Sequence, residues 1–344
     1  MTTTDPEFTR ASESGYYADF HSAYVDRLRR VFLEPTFRNA PRGFASRERL
    51  AEQFVLRDPR QRVPFVPARR TNIVFNFAEA LWYLSGRNDL EFIGYYAPGI
   101  RRYSMDGRSL TGTAYGARIL GAGPGTSQWS TVTEQLRGDP DTKRAVLQIF
   151  GAEELWVADN IDVACTLGLQ FLLRDGALHA VSYMRANDAY RGLVSDLFSF
   201  TFLQEFMATE LGVRPGSYTH TVGSLHVYAS DEDNVRAVLA DPAGEVDPPF
   251  VLPAMPDRNN WEVLGEVLEI EEALRTNRHR LDSGLTNSGL PEYWAQVLGL
   301  FEVYRRLVHG EPVTVELLHA LDPSYVRLLG WRWGDRVPAG EVFR

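Results

Sequence analysis

The segment from residue 165 to residue 211 constrains the fold more than any other part of the chain. Two apolar runs, Cys165 to Leu173 and Leu178 to Arg185, flank the turn signal Arg174-Asp175-Gly176 and predict an antiparallel hairpin. The next run, Leu193 to Leu211, predicts a helix that is apolar on too many sides to lie at the surface. A buried helix beside a hairpin is typical of a sandwich of sheet and helices.

Apolar periodicity and turn residues divide the rest of the chain into further elements. The predicted helices cover Phe20 to Leu33, Asn72 to Leu84, Pro291 to Val308 and much of the tail from Asn259 onward. The predicted strands lie within Pro41 to Arg70, at Ala145 to Phe150 and at His220 to Tyr228. A loop is predicted from Gly86 to Gly125. These elements predict an α/β (α+β) fold with a mixed β-sheet layered with helices.

Composition argues against several classes of protein. The net charge is −9, so a broad grip on nucleic-acid backbone is not expected. No apolar run approaches the ~20 residues that cross a bilayer, and the N-terminus lacks the layout of a secretory signal. Cys165 is the sole cysteine, which rules out an internal disulfide and favours a reducing compartment. We therefore expect a cytoplasmic protein with no nucleic-acid partner, no membrane partner and no metal.

The sole cysteine is the strongest candidate for a reactive group. Cys165 opens one strand of the hairpin, and Arg185 lies at the far end of the partner strand. The hairpin can bring the guanidinium near the sulfur and lower the pKa of the thiol toward a reactive thiolate. From the residues alone, a buried core cysteine is the competing interpretation.

Polar residues cluster in the segments that follow the hairpin. Asp188 and Asp196 flank Gly192, where strand gives way to helix, and His226 and Tyr228 alternate to one face of a strand. Taken singly, the acids fit helix caps or solvated positions, and the two ring side chains fit hydrogen-bonded core positions. Their order along the chain gives them a functional interpretation.

A series of segments between Tyr24 and Tyr228 resembles the thymidylate synthase family. The matching segments are the turn Pro41-Arg42-Gly43, Pro64 to Arg70, the helix AEALWYLSGRND with Glu79, Tyr115-Gly116, DPDTKRAVLQIF with Lys143 and Arg144, the hairpin with its Arg-x-x-Asp continuation, and GSLHVY. One match of this kind is weak, whereas the whole series in the right order is specific.

The resemblance implies roles for the matching residues. Cys165 would be the covalent nucleophile with Arg185 beside it, and Tyr115 would help to remove the C5 proton. Glu79 would handle protons or water, and its place on an apolar helix predicts a raised pKa. The implied nucleotide-binding residues are Arg42, Lys143, Arg144, Ala186, Asp188, Asp196, His226 and Tyr228, and the implied folate-binding residues are Asp188 and Gly192.

The resemblance also implies the cosubstrate, the assembly and the domains. The cosubstrate would be 5,10-methylenetetrahydrofolate, and the chain would form a homodimer in which Lys143 and Arg144 reach the partner's phosphate site. The chain would divide into a flexible tail over residues 1–20, a catalytic core over 21–240, and a mainly helical extension, packed on the core, over 241–344.

One departure from the family concerns the base. In the synthases an asparagine reads uracil by donating to O4 and accepting from N3–H, and here the matching residue is Asp196. Cytosine presents the opposite pattern, an amino donor and an unprotonated N3, which a protonated carboxyl can match. Asp196 would therefore suit cytosine and repel O4 of uracil, as in the cytidylate hydroxymethylases that the chain resembles.

Further departures concern the reaction. The family's Cys-His pair reads Cys165-Thr166, its tryptophan pair is missing from GIRRYSMDG, and its closing tail has no counterpart in WRWGDRVPAGEVFR. Hydride transfer needs water kept out, whereas hydroxymethylation needs one water admitted. These differences predict hydroxymethylation, with water oriented by Glu79 and tetrahydrofolate released unoxidised.

Two positions predict a ribonucleotide substrate. Ala186 replaces the family's phosphate-binding serine, and Lys143, the sole lysine among 36 basic residues, replaces an arginine. A smaller side chain and a point charge leave room for a 2′-hydroxyl. We expect CMP to be preferred over dCMP, as in the hydroxymethylases of nucleoside-antibiotic pathways.

Two alternatives stay open at this point. One is C5 methylation of UMP or dUMP by a synthase-type reaction, and the other is a catalytically silent nucleotide-binding regulator. The coproduct separates them, because methylation releases dihydrofolate, hydroxymethylation releases tetrahydrofolate, and a regulator releases neither.

Overall fold

A computed structural model describes residues 15–121, 127–248, 250–281 and 289–343. Within these residues the chain forms one seven-stranded sheet. The strands are β1 Tyr16–Tyr17, β2 Phe37–Asn39, β3 Ser46–Leu56, β4 Val146–Gln148, β5 Thr166–Arg174, β6 Ala177–Asp188 and β7 Arg214–Tyr228. Their order is β1-β3-β7-β6-β5-β4, with β2 paired to β3.

The sheet contains both parallel and antiparallel strand pairs. The β6 strand runs parallel to β7, and β1 runs parallel to β3. The β3–β7, β5–β6, β4–β5 and β2–β3 pairs are antiparallel. The predicted mixed sheet is therefore confirmed.

The predicted hairpin of β5 and β6 forms around the predicted turn. Arg174 pairs with Ala177, and both intervening residues, Asp175 and Gly176, have positive φ angles of 50° and 67°. Two successive left-handed residues match the right-handed twist of the flanking strands. The register shifts between Thr166 and Gly168, immediately after the cysteine.

Twelve α-helices surround the sheet in the described ranges. They are α1 Phe20–Leu33, α2 Ile73–Leu84, α3 Leu90–Tyr96, α4 Tyr115–Ile119, α5 Gln128–Gly138, α6 Leu193–Leu211, α7 Glu232–Ala240, α8 Trp261–Arg275, α9 Glu292–His309, α10 Val315–His319, α11 Pro323–Trp333 and α12 Ala339–Val342. Among these described helices, none is long and apolar enough to cross a membrane.

The buried helix α6 packs against α2 through aromatic side chains. The ring of Phe77 on α2 meets Phe198 at 5.0 Å and Phe202 at 6.0 Å between centroids, both edge-on. Edge-to-face pairs of this kind add to the burial of apolar area. These two helices carry two of the candidate site residues, Glu79 on α2 and Asp196 on α6.

The C-terminal helices pack on this pair of helices. Tyr293 of α9 and Tyr325 of α11 both contact the ring of Phe77, at 6.3 Å and 5.7 Å. Beneath them, buried Arg62 pairs with Glu205 of α6, and the other oxygen of Glu205 accepts the backbone N–H of Met255 at 2.9 Å. The extension thus shares one core with the sheet domain, while the predicted domain limits at residues 20 and 240 stay a prediction.

Two segments that are predicted without secondary structure contain regular elements. Residues 1–14 of the predicted tail lie outside the described residues, and Tyr16–Tyr17 forms a strand because β3 offers it a parallel partner. The region from 86 to 121, predicted as loop, contains α3 and α4. The α3 helix begins at an Asp89 cap that accepts the N–H of Phe92, a signal obscured by the surrounding glycines and tyrosines.

Candidate active site

The cysteine and the arginine of the hairpin meet as its register predicts. The Arg185 backbone N–H donates to the Cys165 carbonyl at 2.9 Å, and the guanidinium lies 3.6 Å from Sγ. That guanidinium is held in place by the Ala164 and Val163 carbonyls, at 2.9 Å and 3.0 Å. The side chain is therefore fixed before any ligand arrives.

The predicted lowering of the cysteine pKa is wrong on balance. Burial raises the pKa of the Cys165 thiol above its usual value, and the charge of Arg185 only partly offsets this effect. Arg42 also lowers the pKa of the thiol, which places its guanidinium within electrostatic reach of the sulfur. The two arginines therefore only partly offset the effect of burial on the Cys165 thiol.

Glu79 behaves as its position on an apolar helix predicts. It is 6% exposed on α2 and accepts a hydrogen bond from Ser199 of α6 at 2.9 Å. Burial first, and then the neighbouring charge of Asp196, raise the pKa of Glu79 to about 8. The carboxyl is therefore largely protonated at neutral pH and can donate or accept a proton near pH 8.

Asp196 sits in the first turn of α6 and shares this environment. Removal from water raises the pKa of Asp196 to about 7, while a hydrogen bond from Asn187 acts in the opposite direction. The Asn187 Nδ2 donates to Asp196 Oδ2 at 3.1 Å. A carboxyl with this pKa populates both its donor and its acceptor form near neutral pH.

Tyr115 joins the same cluster from α4. Its ring stacks on that of Tyr83 at 5.2 Å, with an angle of 28° between planes. Burial raises the pKa of Tyr115, the negative charges of Asp196 and Cys165 raise it further, and a hydrogen bond with Thr166 lowers it. Gly116 is required here because a Cβ would lie 2.2 Å from the Tyr83 carbonyl oxygen.

A buried carboxylate joins the segment before Tyr115 to the segment before Cys165. Asp162 accepts backbone N–H bonds from Thr111, Gly112 and Thr113 at 2.8, 2.8 and 2.9 Å. Nothing in the local sequence distinguishes this acid from a solvated loop residue, so sequence reasoning missed it. These three hydrogen bonds hold the segment before Tyr115 in place relative to the segment before Cys165.

The predicted phosphate ligands are only partly brought together. Arg42 lies on a one-turn 3-10 segment, Pro41–Gly43, with a left-handed φ of 53°. Lys143 and Arg144 are exposed just before β4, and their side chains bond to no other residue of the described ranges. Their reach into a partner's phosphate site stays a prediction.

The predicted sugar and folate ligands lie side by side at the end of β6. Asp188 pairs in register with His226, and its Oδ1 accepts the N–H groups of Tyr190 and Arg191 at 2.9 Å. Burial raises the pKa of Asp188. On β7, the rings of His226 and Tyr228 lie 5.0 Å apart. At the same end of β6, Ala186 pairs in register with Ser224 of β7.

Arg69, Arg70 and Arg332 form a cationic cluster, and the sequence analysis singled out only the first two. Arg69 and Arg70 belong to the matching segment, but Arg332 comes from α11, and its carbonyl accepts from Arg70 at 2.8 Å. The Nε atoms of Arg69 and Arg332 are buried without a hydrogen-bond partner in the described structure, while another nitrogen of Arg69 donates to the Tyr190 carbonyl at 2.8 Å. Burial and the two neighbouring guanidiniums lower the pKa of Arg332. Neighbouring guanidinium groups of this kind attract anions.

The described residues contain no group of three or more His, Cys, Asp or Glu side chains that could hold a metal ion. The residues around Cys165 combine a thiol, two carboxyls of raised pKa and a tyrosine, with arginines at the margin of the cluster. This set can form a covalent bond to carbon, move protons and bind an anion.

Comparison with known proteins gives the family and two named relatives. A model of the thymidylate synthase family matches residues 22–260. Deoxyuridylate hydroxymethyltransferase of Bacillus phage SP01 is 34% identical over 223 residues, which cover 60% of this chain and 57% of that protein. The enzyme of the same name from Pseudomonas phage M6 is 32% identical over 185 residues, covering 53% and 52%. The match spans just over half the length of these curated relatives.

Proposed function

Because the chain belongs to the thymidylate synthase family, we propose that it hydroxymethylates C5 of a cytosine nucleotide with 5,10-methylenetetrahydrofolate and water. The products are a 5-hydroxymethyl nucleotide and tetrahydrofolate. The two named relatives are deoxyuridylate hydroxymethyltransferases, which supports hydroxymethylation as the outcome. The proposal of a cytosine base depends on this chain's own residues.

The covalent sequence follows from the side chains in the cluster. The Cys165 sulfur bonds to C6 of the pyrimidine, and the displaced electron pair makes C5 a nucleophile toward the one-carbon unit. After the C5 proton leaves, with Tyr115 nearby, tetrahydrofolate departs and an exocyclic methylene remains. Water held by Glu79 adds to that methylene, and the C6–S bond breaks to return the thiolate. Glu79, with a pKa of about 8, suits this proton handling.

One observation carries the choice of base. Asp196 occupies the position of the family's uracil-reading asparagine, and burial raises its pKa to about 7. Its protonated form donates to N3 of cytosine while the second oxygen accepts from the exocyclic amino group. Uracil offers the reverse pattern, so its O4 faces an acceptor and its N3–H faces a donor.

The sugar preference rests on two smaller side chains. Ala186 has no hydroxyl to hold the phosphate, and Lys143 offers a point charge where the family has a planar fork. We propose CMP as the preferred substrate over dCMP, and a place in nucleoside-antibiotic biosynthesis. The check is kcat/KM for CMP and dCMP in the wild type and in Ala186→Ser combined with Lys143→Arg. A wild-type preference for dCMP, or an unchanged ratio in the double variant, contradicts it.

The anionic tail of the folate has a matching site in the arginine cluster. Arg69 and Arg332 each have a buried Nε without a hydrogen-bond partner in the described structure, and Arg70 donates to the Arg332 carbonyl beside them. Carboxylates bind such groups through charge-assisted, bidentate hydrogen bonds. We assign this cluster to the glutamyl carboxylates of the cosubstrate.

Tritium release from C5 tests the proposed function. The protein is incubated with methylenetetrahydrofolate and [5-³H]-labelled CMP, dCMP, UMP or dUMP, and the folate coproduct is followed by absorbance. We expect release from CMP and dCMP with tetrahydrofolate as coproduct. Dihydrofolate would indicate methylation, and no release from any nucleotide would indicate a silent binding protein.

The relatives' names favour a second candidate, deoxyuridylate hydroxymethylation. It shares the covalent sequence and differs only in the base that Asp196 faces. Preferential tritium release from dUMP, with tetrahydrofolate formed, would establish this candidate in place of the first.

A further inference from the structure

Asn187 lies beside Asp196 and has no role in the functional scheme so far. It is 3% exposed at the end of β6, and its Nδ2 donates to Asp196 Oδ2 at 3.1 Å. The same nitrogen lies 2.8 Å from the Met184 sulfur. The amide nitrogen is therefore satisfied within the protein.

The amide oxygen of Asn187 is in the opposite situation. Oδ1 is buried and has no hydrogen-bond partner in the described structure. A buried acceptor without a partner costs free energy, so it marks a place where a ligand group or water completes the site. Asn187 Oδ1 and Asp196 Oδ2 both border the space beside Gly192, at 3.5 Å and 3.2 Å from where a Cβ would stand. Glycine keeps that space open.

We propose that Asn187 is a specificity residue that, together with Asp196, accepts both hydrogens of the exocyclic amino group of cytosine. The inference rests on the proposed function and deepens its account of the base. Because Asp196 Oδ2 accepts the N–H of Asn187, the proton of the neutral carboxyl is on Oδ1. That Oδ1–H can then donate to N3 of the base. Asn187 Oδ1 then takes the second amino hydrogen, which Asp196 alone leaves unpaired.

A change in the ligand tests this arrangement while the Asn187 side chain stays intact. In the Cys165→Ala background, which removes turnover, calorimetry compares CMP with N4-methyl-CMP, whose amino group has one hydrogen. Loss of one hydrogen bond to a buried acceptor predicts binding about tenfold weaker for the methylated nucleotide. Equal affinities for the two nucleotides would overturn the proposal.

The variant Asn187→Ala supplies the second arm of the cycle. It removes the second acceptor and makes room for the methyl group, so the preference for CMP over N4-methyl-CMP should fall to about threefold or less. Asn76→Ala is the matched control, since Asn76 is also a buried amide with an unpaired atom, on α2. It should keep the tenfold preference. An Asn187→Ala ratio equal to that of the control contradicts the role of Asn187.

The result separates this inference from the proposed function. A protein that releases tritium from CMP but shows no N4-methyl effect keeps the proposed function and loses the role of Asn187. A protein that releases tritium only from uracil nucleotides loses both.

Discussion

Three titratable side chains around the candidate site lose most of their contact with water in this fold. Burial raises the pKa of Cys165, of Asp196 to about 7 and of Glu79 to about 8. The sequence predicts the contact between Cys165 and Arg185, because the register of a hairpin is local. It does not predict the direction in which the pKa of the thiol shifts, because burial depends on residues that are distant in sequence.

Removal of the nucleophile should abolish turnover and spare binding. In Cys165→Ala no bond to C6 can form, whereas the nucleotide's phosphate still meets arginine side chains. We expect less than about 1% of wild-type tritium release, with nucleotide affinity still measurable by calorimetry. Turnover above that level would contradict the covalent scheme, and Cys165→Ser serves as the sterically closest control.

Stability should depend on pH through Glu79. Its pKa is raised from an ordinary 4.5 to about 8, so the folded state binds more protons than the unfolded state between these values. The free energy of unfolding therefore falls as pH rises from about 5 to 8, by an amount on the order of a few kcal/mol. Asp196 acts in the same direction up to pH 7.

Urea unfolding at pH 5, 7 and 9 measures this dependence. Glu79→Gln carries no titratable proton, so its stability should fall less between pH 5 and pH 9 than that of the wild type. Parallel pH curves for the two proteins would show that Glu79 is not titrating with a raised pKa.

At the scale of elements, the chain's periodic segments are the ones that sequence predicts best. The helices Phe20–Leu33 and Leu193–Leu211 have the bounds that apolar spacing gives them. The short helices α3 and α4 were predicted as loop, since their few residues are stabilised by tertiary contacts rather than by periodicity. A tertiary contact lies just before α4, where Asp162 accepts backbone N–H bonds from residues 111–113.

The C-terminal helix α11 leads to a prediction of its own. Arg332 is the member of the arginine cluster that lies beyond the family match, and its guanidinium has a buried, unpaired Nε. Arg332→Gln should raise the KM for methylenetetrahydrofolate about tenfold or more while leaving the KM for the nucleotide within about twofold. Arg327→Gln, on the same helix and packed over Phe343, is the control. Equal effects on both Michaelis constants would show a structural role instead.

At the scale of the whole molecule, the site depends on residues far apart in sequence. Arg70 meets Arg332 across 262 positions, and Ser199 meets Glu79 across 120. The second pair lies within the matched core, yet sequence reasoning did not predict it. The first pair joins that core to helices outside the match, where neither periodicity nor resemblance indicates a neighbour.

Assembly is the other property of this scale, and it has a direct test. The homodimer stays a prediction. Four strands each carry an exposed apolar residue, and such residues are typical of association surfaces; they are Leu50, Val146, Leu167 and Tyr183. If Arg144 serves the partner's site, mixing inactive Cys165→Ala with inactive Arg144→Glu should restore up to about a quarter of the activity. Subunit exchange followed by sedimentation shows that mixed dimers have formed. Mixed dimers without activity would place Arg144 in its own subunit's site.

The central claim is that Asp196 selects cytosine, and the substitution Asp196→Asn tests it most directly. The amide restores a donor for O4 and an acceptor for N3–H, so it should favour uracil. The measurement is the ratio of kcat/KM for CMP to that for UMP, from C5 tritium release, in the wild type and in the variant. We predict a wild-type ratio well above one and a variant ratio lower by about a hundredfold or more. A variant that keeps the wild-type ratio, or a wild type that prefers UMP, would contradict the account.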